Sequence, residues 1–245
     1  MLDLHCHMLP GVDDGPQTMD EAVALARYAV ADGIRAAVLT SHVHPGRYGN
    51  NRTSLQQALK AFEAQLAAES IPLKVRLGAE ARFSDELFDL LAAGELPFLG
   101  EVDGYRILLL EFPHEMIPVG ADKLVTLLLR QKIRPLIAHP ERNKTVMAKL
   151  DRLEPFVRLG CWLQITADSL AGGFGPAAER TAWAIFEAGW NCVLASDGHN
   201  LAHRPPRLSA GRDALARRYG HDFALDHVIH KPARIAGATV TAVAP

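Results

Sequence analysis

The chain has 245 residues, 49% of them apolar, and 26 basic residues nearly balance 28 acidic ones. This balance argues against nucleic-acid binding by bulk electrostatics, and no apolar run reaches the roughly 18 residues that a membrane helix needs. The three cysteines are scattered, and the first residues lack the pattern of a signal peptide, so we expect a cytoplasmic protein without a disulfide framework.

Short apolar runs alternate with amphipathic segments along the chain. The apolar runs predict seven strands, over residues 2–6, 36–40, 73–77, 105–112, 135–138, 161–166 and 192–196. The amphipathic segments predict helices over residues 18–31, 55–66, 84–93, 121–131, 151–159, 176–188, 207–219 and 223–230. This alternation is typical of a parallel sheet covered on both faces. We expect one α/β domain over residues 1–245.

Ionisable side chains follow six of the seven predicted strands, at the point where each strand ends. In a parallel barrel these ends meet on one face, and His5 and His7 point to the same side because strand side chains alternate. Nitrogen and oxygen donors without thiolate suit Mn, Fe or Zn. The candidate metal ligands at the strand ends are His5, His7, His42, Glu80, Glu111, His139, Asp197 and His199.

Each of these residues alone also has a purely structural explanation, such as a buried histidine beside a carbonyl or a satisfied core acid. Ionisable residues are rarely buried without partners, however, and the preceding strands are strongly apolar. The combination therefore predicts a multinuclear metal site. The sixth strand ends less informatively, in Thr166-Ala167-Asp168. Most of the other histidines are expected at the surface, namely His44, His114, His203, His221, His227 and His230.

These motifs resemble the PHP (polymerase and histidinol phosphatase) superfamily, which carries H-x-H, a later His, Glu, His and a final D-x-H. The stretches DLHCHMLPGVDDGP, TSHVHPGRYG, LGAE, LLEFP, IAHPER and ASDGHN are similar to the manganese-dependent bacterial protein-tyrosine phosphatases linked to capsular and exopolysaccharide synthesis. The resemblance runs almost end to end. It implies a distorted (β/α)7 TIM-like barrel with the metal site at the C-terminal ends of the strands.

The resemblance also implies three divalent metal ions, with Mn2+ expected and Fe or Zn as alternatives. One ion would be held by His5, His7, Glu80 and Asp197. Glu80 would bridge to a second ion, which also takes Glu111 and His139. The third would be held by Asp14, His42 and His199.

Four residues are candidates to act on the substrate. Arg142 and Arg204 would bind phosphate and offset charge in the transition state. Asp14 or His44 would serve if an acid is used, and the sequence does not rank them. The loop from His44 to Tyr48 departs from the family pattern and is expected to affect substrate choice, whereas Asp13 is expected to shape its turn.

The implied reaction is hydrolysis of a phosphate monoester by a metal-activated hydroxide. The implied partner is a phosphotyrosine-bearing protein, with a bacterial tyrosine kinase suggested by the family, and oligomeric state stays open. None of Cys6, Cys161 and Cys192 is followed by Arg six residues later, so a cysteinyl-phosphate route is disfavoured.

Three alternatives to this function are considered. A PHP phosphatase for a small phosphoester such as histidinol phosphate would use the same site. An amidohydrolase also begins with H-x-H but typically uses a modified lysine on strand four, and residues 105–112 contain none. A regulatory metal-binding module would need a decayed site, whereas all nine candidate ligands are present.

Overall fold

The computed structural model describes residues 1–238, in which strands and helices alternate as predicted. The strands are β1 (Leu2–Cys6), β2 (Ala36–Leu39), β3 (His42–Val43), β4 (Lys74–Leu77), β5 (Glu80–Arg82), β6 (Gly100–Val102), β7 (Tyr105–Glu111), β8 (Ile133–Ala138), β9 (Trp162–Thr166) and β10 (Cys192–Ala195). The helices are α1 (Met19–Ala31), α2 (Arg52–Ala68), α3 (Leu87–Ala92), α4 (Ala121–Arg130), α5 (Lys144–Ala148), α6 (Glu154–Arg158), α7 (Gly175–Glu187), α8 (Ser209–Tyr219), α9 (His221–Leu225) and α10 (Lys231–Ala236).

The described strands form two sheets. In the smaller sheet, β2 pairs in parallel with β1 on one side and β4 on the other. The larger sheet has the order β10-β9-β8-β7-β5-β3, all parallel, and β6 is added antiparallel to β7. The prediction of a mixed α/β fold with parallel strands is confirmed, but the expected closed (β/α)7 barrel is not present in the described residues.

The hydrogen-bond ladder breaks where the second predicted strand ends. The hydroxyl of Thr40 accepts from the amide of Cys6 at 3.0 Å, while the Thr40 amide donates to the Cys6 carbonyl at 2.9 Å. A side chain thus takes the place of a backbone partner, and the chain resumes as β3 against β5 in the larger sheet. The chain likewise passes from β4 in the smaller sheet to β5 in the larger sheet.

The two sheets remain close at the other edge of β1. The amide of His7 donates to the Gly198 carbonyl at 2.8 Å, and the amide of Asp197 donates to the His5 carbonyl at 2.7 Å. These bonds attach the end of β1 to the segment that follows β10. The carboxyl ends of both sheets therefore lie together even though one continuous ladder is not formed.

Several predicted elements differ from the structure. The predicted helix over residues 151–159 is a 3-10 turn (Leu150–Leu153) followed by α6. Pro155 lies in the first turn of α6, where its missing N–H does not interrupt the helix. The predicted helix over residues 223–230 is divided into α9 and a π-helical turn (Asp226–His230) that leads into α10. Four short elements, β3, β5, β6 and α5, were not predicted, because two to five residues carry too little periodicity.

The strand bodies supply the core. Every residue of β1 and β10 is buried, as are the four residues from Ile107 to Leu110 in β7. A capping box opens α1, with the Thr18 hydroxyl accepting from the Glu21 amide. No helix in the described part of the chain is long and apolar enough to cross a membrane.

Candidate metal centre

The two histidines of the H-x-H motif converge, as their strand alternation predicts. Their Nε2 atoms lie 3.2 Å apart, and each lies 3.3 Å from Oε2 of Glu80. Oδ1 of Asp197 lies 3.2 Å from His5 Nε2 and 3.6 Å from His7 Nε2. Ligands bound at about 2.1 Å to one ion lie roughly 3 Å apart when they are adjacent, so these separations suit a shared cation.

Glu80, the first residue of β5 in the larger sheet, contacts two further histidines. Its Oε2 lies 3.1 Å from His42 Nδ1, and its Oε1 lies 2.8 Å from His139 Nε2. Its side chain is 1% exposed. Ligand atoms of His42, Glu80 and Glu111 lie within 4.8 Å of one another, so a second carboxylate joins this group.

Asp14 is at the solvent side of the cluster, with 40% of its side chain exposed. Its Oδ1 lies 3.3 Å from His42 Nε2 and 3.5 Å from His199 Nε2. The His199 ring stacks on His7, with ring centroids 3.8 Å apart.

The structure brings all nine predicted ligands into groups whose ligand atoms lie within 4.8 Å of one another. His5, His7 and Glu80 form one group, without Asp197, and Asp14, His42 and His199 form another together with His7. Glu111 groups with His42 and Glu80, whereas His139 groups with His5 and Asp197, which differs from the implied second set. The groups are His7, Asp14, His42 and His199; His5, His7 and Glu80; His5, His139 and Asp197; and His42, Glu80 and Glu111.

Unusual backbone conformations at two strand ends direct the candidate ligands into the cluster. His139 and Asp197 have φ angles of 31° and 53°, in the left-handed region that non-glycine residues seldom occupy. Strain of this kind persists where the surroundings fix it, and it concentrates at functional sites. Gly15 serves a related purpose, since a Cβ there would lie 2.6 Å from the His7 carbonyl oxygen. Only glycine allows the Asp13–Asp14 turn to lie against β1.

Two buried residues form hydrogen bonds with the Nδ1 atoms of His5 and His7, which do not face Glu80. Asp13 Oδ2 accepts from His7 Nδ1 at 2.9 Å and from the His42 amide at 2.9 Å. Gln164 Oε1 accepts from His5 Nδ1 at 2.8 Å and from the His139 amide at 3.1 Å. Partners of this kind fix the tautomer and ring direction of a metal-binding histidine.

Sequence reasoning had missed Gln164, and it had given Asp13 only part of its role. Asp13 does shape its turn by accepting from the Gly15 amide at 3.0 Å, and it additionally holds His7. The signal for Gln164 was available, because a fully buried glutamine in the middle of CWLQIT needs partners. The sixth strand therefore contributes to the site through its middle residue.

Burial and the neighbouring charges shift the pKa values of the clustered side chains in different directions. Burial would raise the pKa of Glu80, but the imidazoles of His5 and His42 hold it well below its usual range. Burial opposes a positive charge on His7, yet Asp13 raises the pKa of that imidazole to about 10. Burial lowers the pKa of His139 to about 3 and that of His199 to about 4. These two imidazoles are therefore neutral, which is the form that coordinates a metal, whereas His7 would release a proton on binding one.

Three buried atoms of the cluster support a cation at its centre. His42 Nδ1, His199 Nε2 and Asp197 Oδ1 have no hydrogen-bond partner among the described residues. Buried polar atoms are normally paired, and all three belong to the groups of ligand atoms above. Imidazole and carboxylate donors of this number fit divalent ions such as Mn2+, Fe2+ or Zn2+.

A cleft of about 300 Å³ opens over the cluster and contains the two predicted arginines. Nη2 of Arg142 and Nη2 of Arg204 each lie 2.5 Å from Oδ2 of Asp197. The Nε atoms of both arginines are buried without a partner among the described residues. Phe174 lies under the Arg142 guanidinium at 4.6 Å. Two planar cations therefore face the same point beside the cluster.

The remaining histidines divide into three kinds. His44 is half-buried and lines the cleft, where burial and the Arg82 guanidinium lower its pKa. His203, His221 and His230 are exposed as predicted, and so is His114, which stacks on His139 with centroids 5.3 Å apart. The prediction for His227 is wrong, because its side chain is buried, with 3% exposed.

A family model described as capsular polysaccharide synthesis, CpsB/CapC, matches residues 1–236. The chain belongs to the CpsB/CapC family. The resemblance to bacterial capsule-type phosphatases that was read from the motifs is thereby confirmed. As a CpsB/CapC protein, the chain is 34% identical to the tyrosine-protein phosphatase YwqE of Bacillus subtilis over 223 residues, covering 91% of this chain and 87% of YwqE.

The fold is also that of the family. A crystal structure described as YwqE from Bacillus subtilis and CpsB from Streptococcus pneumoniae, unique metal-dependent tyrosine phosphatases, matches with a TM-score of 0.89. The identity is 31%, covering 98% of this CpsB/CapC chain and 96% of the other. A β-aspartyl dipeptidase from Fervidobacterium islandicum AW-1 matches with a TM-score of 0.56 at 14% identity, over 96% of this chain and 74% of the other. That second likeness concerns the fold alone.

Proposed function

We propose that this CpsB/CapC protein is a metal-dependent protein-tyrosine phosphatase. The observation that carries the proposal is the joint placement of nine nitrogen and oxygen ligands around Glu80 with two arginines at the mouth of the same cleft. The names of the relatives confirm the predicted class, a phosphoric monoester hydrolase acting on phosphotyrosine. They do not favour the small-molecule alternative.

We assign three divalent ions, with Mn2+ as the expected metal. His5, His7, Glu80 and Asp197 would hold the first. Glu80, Glu111 and His139 would hold the second, and Asp14, His42 and His199 the third. Bound there, the ions would supply water activation at neutral pH and charge neutralisation on phosphate oxygens.

The arginines would bind and orient the phosphate. A guanidinium offers paired N–H donors that match phosphate oxygens. Arg142, from the segment after β8, and Arg204, from the segment after β10, approach the same oxygen of Asp197. Their positive charges would offset the negative charge of the transferred phosphoryl group. Asp197 would hold both arginine side chains in position, since each guanidinium contacts its Oδ2 atom.

The leaving group and the thiols fit this chemistry. A tyrosine phenolate has a pKa of about 10 and needs less protonation than an alkoxide, and Asp14 and His44 stay the two candidate acids. The cysteines are unsuited to nucleophilic attack, because burial raises the pKa of Cys161 and Cys192 to about 12 and that of Cys6 well above its usual value.

The substrate would be a phosphotyrosine-bearing protein, and a bacterial tyrosine kinase is the candidate partner. We place residues 1–245 in one phosphatase domain that acts in the cytoplasm. The family description connects the activity to capsular polysaccharide synthesis. Regulation of that synthesis is the proposed role.

The deciding experiment combines elemental analysis with a phosphatase assay. The purified protein is expected to contain about three transition-metal ions per chain and to hydrolyse a phosphotyrosine peptide much faster than histidinol phosphate. A chelator should abolish the activity, and Mn2+ should restore it. Faster hydrolysis of histidinol phosphate would favour the small-molecule alternative, and bound metal without activity on any phosphoester would favour a binding module.

A further inference from the structure

The hairpin that follows β3 places an exposed arginine at the edge of the cleft. Residues His44 and Tyr48 pair through two backbone bonds, with the His44 amide donating at 3.2 Å and the Tyr48 amide donating at 2.8 Å. Gly46 occupies the turn at φ +81°, a conformation that favours glycine. Asn50 anchors the loop by donating to the carbonyls of Val12 and His42, both at 2.8 Å. The hairpin is therefore short and fixed at its base.

Arg47 is held in place by stacking. Its guanidinium lies 5.0 Å from the centroid of the Tyr48 ring. Tyr48 in turn stacks on His42, with centroids 5.5 Å apart and planes 6° from parallel. The guanidinium thus lies within about 10 Å of a candidate metal ligand, a distance that roughly three extended residues span.

Arg47 differs from the other arginines that line the cleft. Arg142 and Arg204 each pair with Asp197, and Arg82 pairs with Glu111 at 3.0 Å. Arg47 takes part in no ion pair with the carboxylates that the structure describes, and its side chain is exposed. Stacking occupies the face of the guanidinium and leaves its N–H edges available for a carboxylate.

We propose that Arg47 is a specificity-determining residue, which binds an acidic side chain within a few residues of the phosphotyrosine in the protein substrate. This inference rests on the proposed function and adds a preference for acidic flanks to it. The phosphate lies near Arg142 and Arg204, and the flanking carboxylate reaches the Arg47 edge of the same cleft. A guanidinium and a carboxylate form two parallel hydrogen bonds. Arg47 therefore binds an acidic residue that flanks the phosphotyrosine, without contacting the reacting atoms.

The test compares two phosphotyrosine peptides of equal length, one with glutamates on both sides of the phosphotyrosine and one with glutamines there. The wild-type protein is expected to show a higher kcat/KM for the glutamate peptide. Arg47→Ala should lower the ratio of the two values by roughly threefold to fivefold, the size of an exposed charge pair. Arg47→Glu should reverse the preference. Hydrolysis of p-nitrophenyl phosphate, which has no flanking residues, should be unchanged in both variants.

Arg130→Ala is the matched control, because Arg130 is exposed at the end of α4, which faces the opposite ends of the strands. It removes the same charge and should leave the ratio unchanged. In the wild type, the preference should weaken as salt is raised. An equal ratio in wild type and Arg47→Ala would overturn the inference alone. Failure of the wild type to hydrolyse either peptide would overturn the proposed function together with it.

Discussion

Two regions of the molecule bury histidines, and they do so in opposite chemical settings. At the strand ends, His5 and His7 direct their Nε2 atoms at Glu80 and Asp197. In the C-terminal helices, His227 is just as buried but packs against the rings of Phe186 and Phe223, at 5.3 and 4.4 Å. Its Nδ1 donates to the Phe223 carbonyl and its Nε2 accepts from Lys231, both from residues one helical turn away.

The difference shows what distinguishes a candidate ligand from a core histidine. Burial is common to both regions, but hydrogen bonding is not. Both ring nitrogens of His227 form hydrogen bonds, whereas His42 Nδ1 and His199 Nε2 lie near carboxylates without a hydrogen-bond partner among the described residues. Carboxylates that converge from several strands provide the charge that attracts a cation. Location at a strand end matters because it is where such side chains meet.

The largest effect is expected at the central carboxylate. Glu80→Gln removes the charge that four imidazoles face, so we expect loss of most bound metal and a fall in kcat/KM of at least about a thousandfold. Elemental analysis and the phosphotyrosine assay measure both. His227→Gln is the matched control from the other region and should keep metal and activity. Full metal content in Glu80→Gln would contradict the assignment.

A smaller loss of activity is expected when Arg142 is replaced, because this residue would bind phosphate and not metal. Arg142→Ala should lower kcat/KM roughly a hundredfold, the cost of removing one charge-stabilising donor, while the metal content stays unchanged. Arg142→Lys should restore little, because an ammonium lacks paired donors. Arg207→Ala provides the comparison, since Arg207 pairs with Asp168 through two bonds of 2.9 Å outside the ligand cluster. Its loss should reduce stability and leave turnover intact, and an active Arg142→Ala would remove the assigned role.

Asp14 tests whether the cluster is one site or several. It is the most exposed ligand and contacts only His42 and His199 within the cluster. Asp14→Ala should therefore lose about one ion while the ions near Glu80 remain, which metal titration followed by elemental analysis detects. Loss of every ion would indicate that the sites cannot be occupied separately.

A smaller effect is expected from the residue behind the histidines. Gln164→Leu removes the acceptor for His5 Nδ1 and the His139 amide, and partners of this kind typically account for about 10- to 100-fold in metal affinity. Competition with a chromophoric chelator measures that affinity. Gln65→Leu removes a glutamine from the surface of α2, where it bonds to Glu69, and should leave affinity unchanged. Equal affinity in the two variants would mean that Gln164 only fills space.

Sequence reasoning predicted the ligands better than the sheet. All seven predicted strands exist, and the ligands meet, because the period of a strand and the common direction of parallel strands are local rules. The expected closed barrel is not present in the described residues. The ladder of β1 and β2 ends where the Thr40 hydroxyl replaces a backbone partner of Cys6, and no periodicity in the sequence encodes that replacement. Gln164 was missed for a related reason, since its partners are distant in sequence.

The burial of His227 could not be predicted from the helical pattern of the sequence. Its burial depends on how the C-terminal helices pack against Phe186 of α7, and a polar residue in a helical pattern carries no sign of that packing. The predicted surface position followed the usual behaviour of such residues. Carboxylates at the strand ends, by contrast, were visible together in the sequence.

A weak pH dependence of stability is expected from His227. Burial lowers its pKa to about 4 from an ordinary value near 6.5, and the Lys231 charge acts in the same direction while Asp226 opposes it. Because the unfolded chain binds the proton more tightly, the neutral His227 contributes fully above pH 6.5, and its contribution is lost as the pH falls toward 4. The free energy of unfolding should therefore decline by roughly 2 kcal/mol more in wild type than in His227→Gln between pH 7 and pH 5. Urea unfolding at both pH values measures this difference, and parallel curves would mean that His227 is not held neutral by its surroundings.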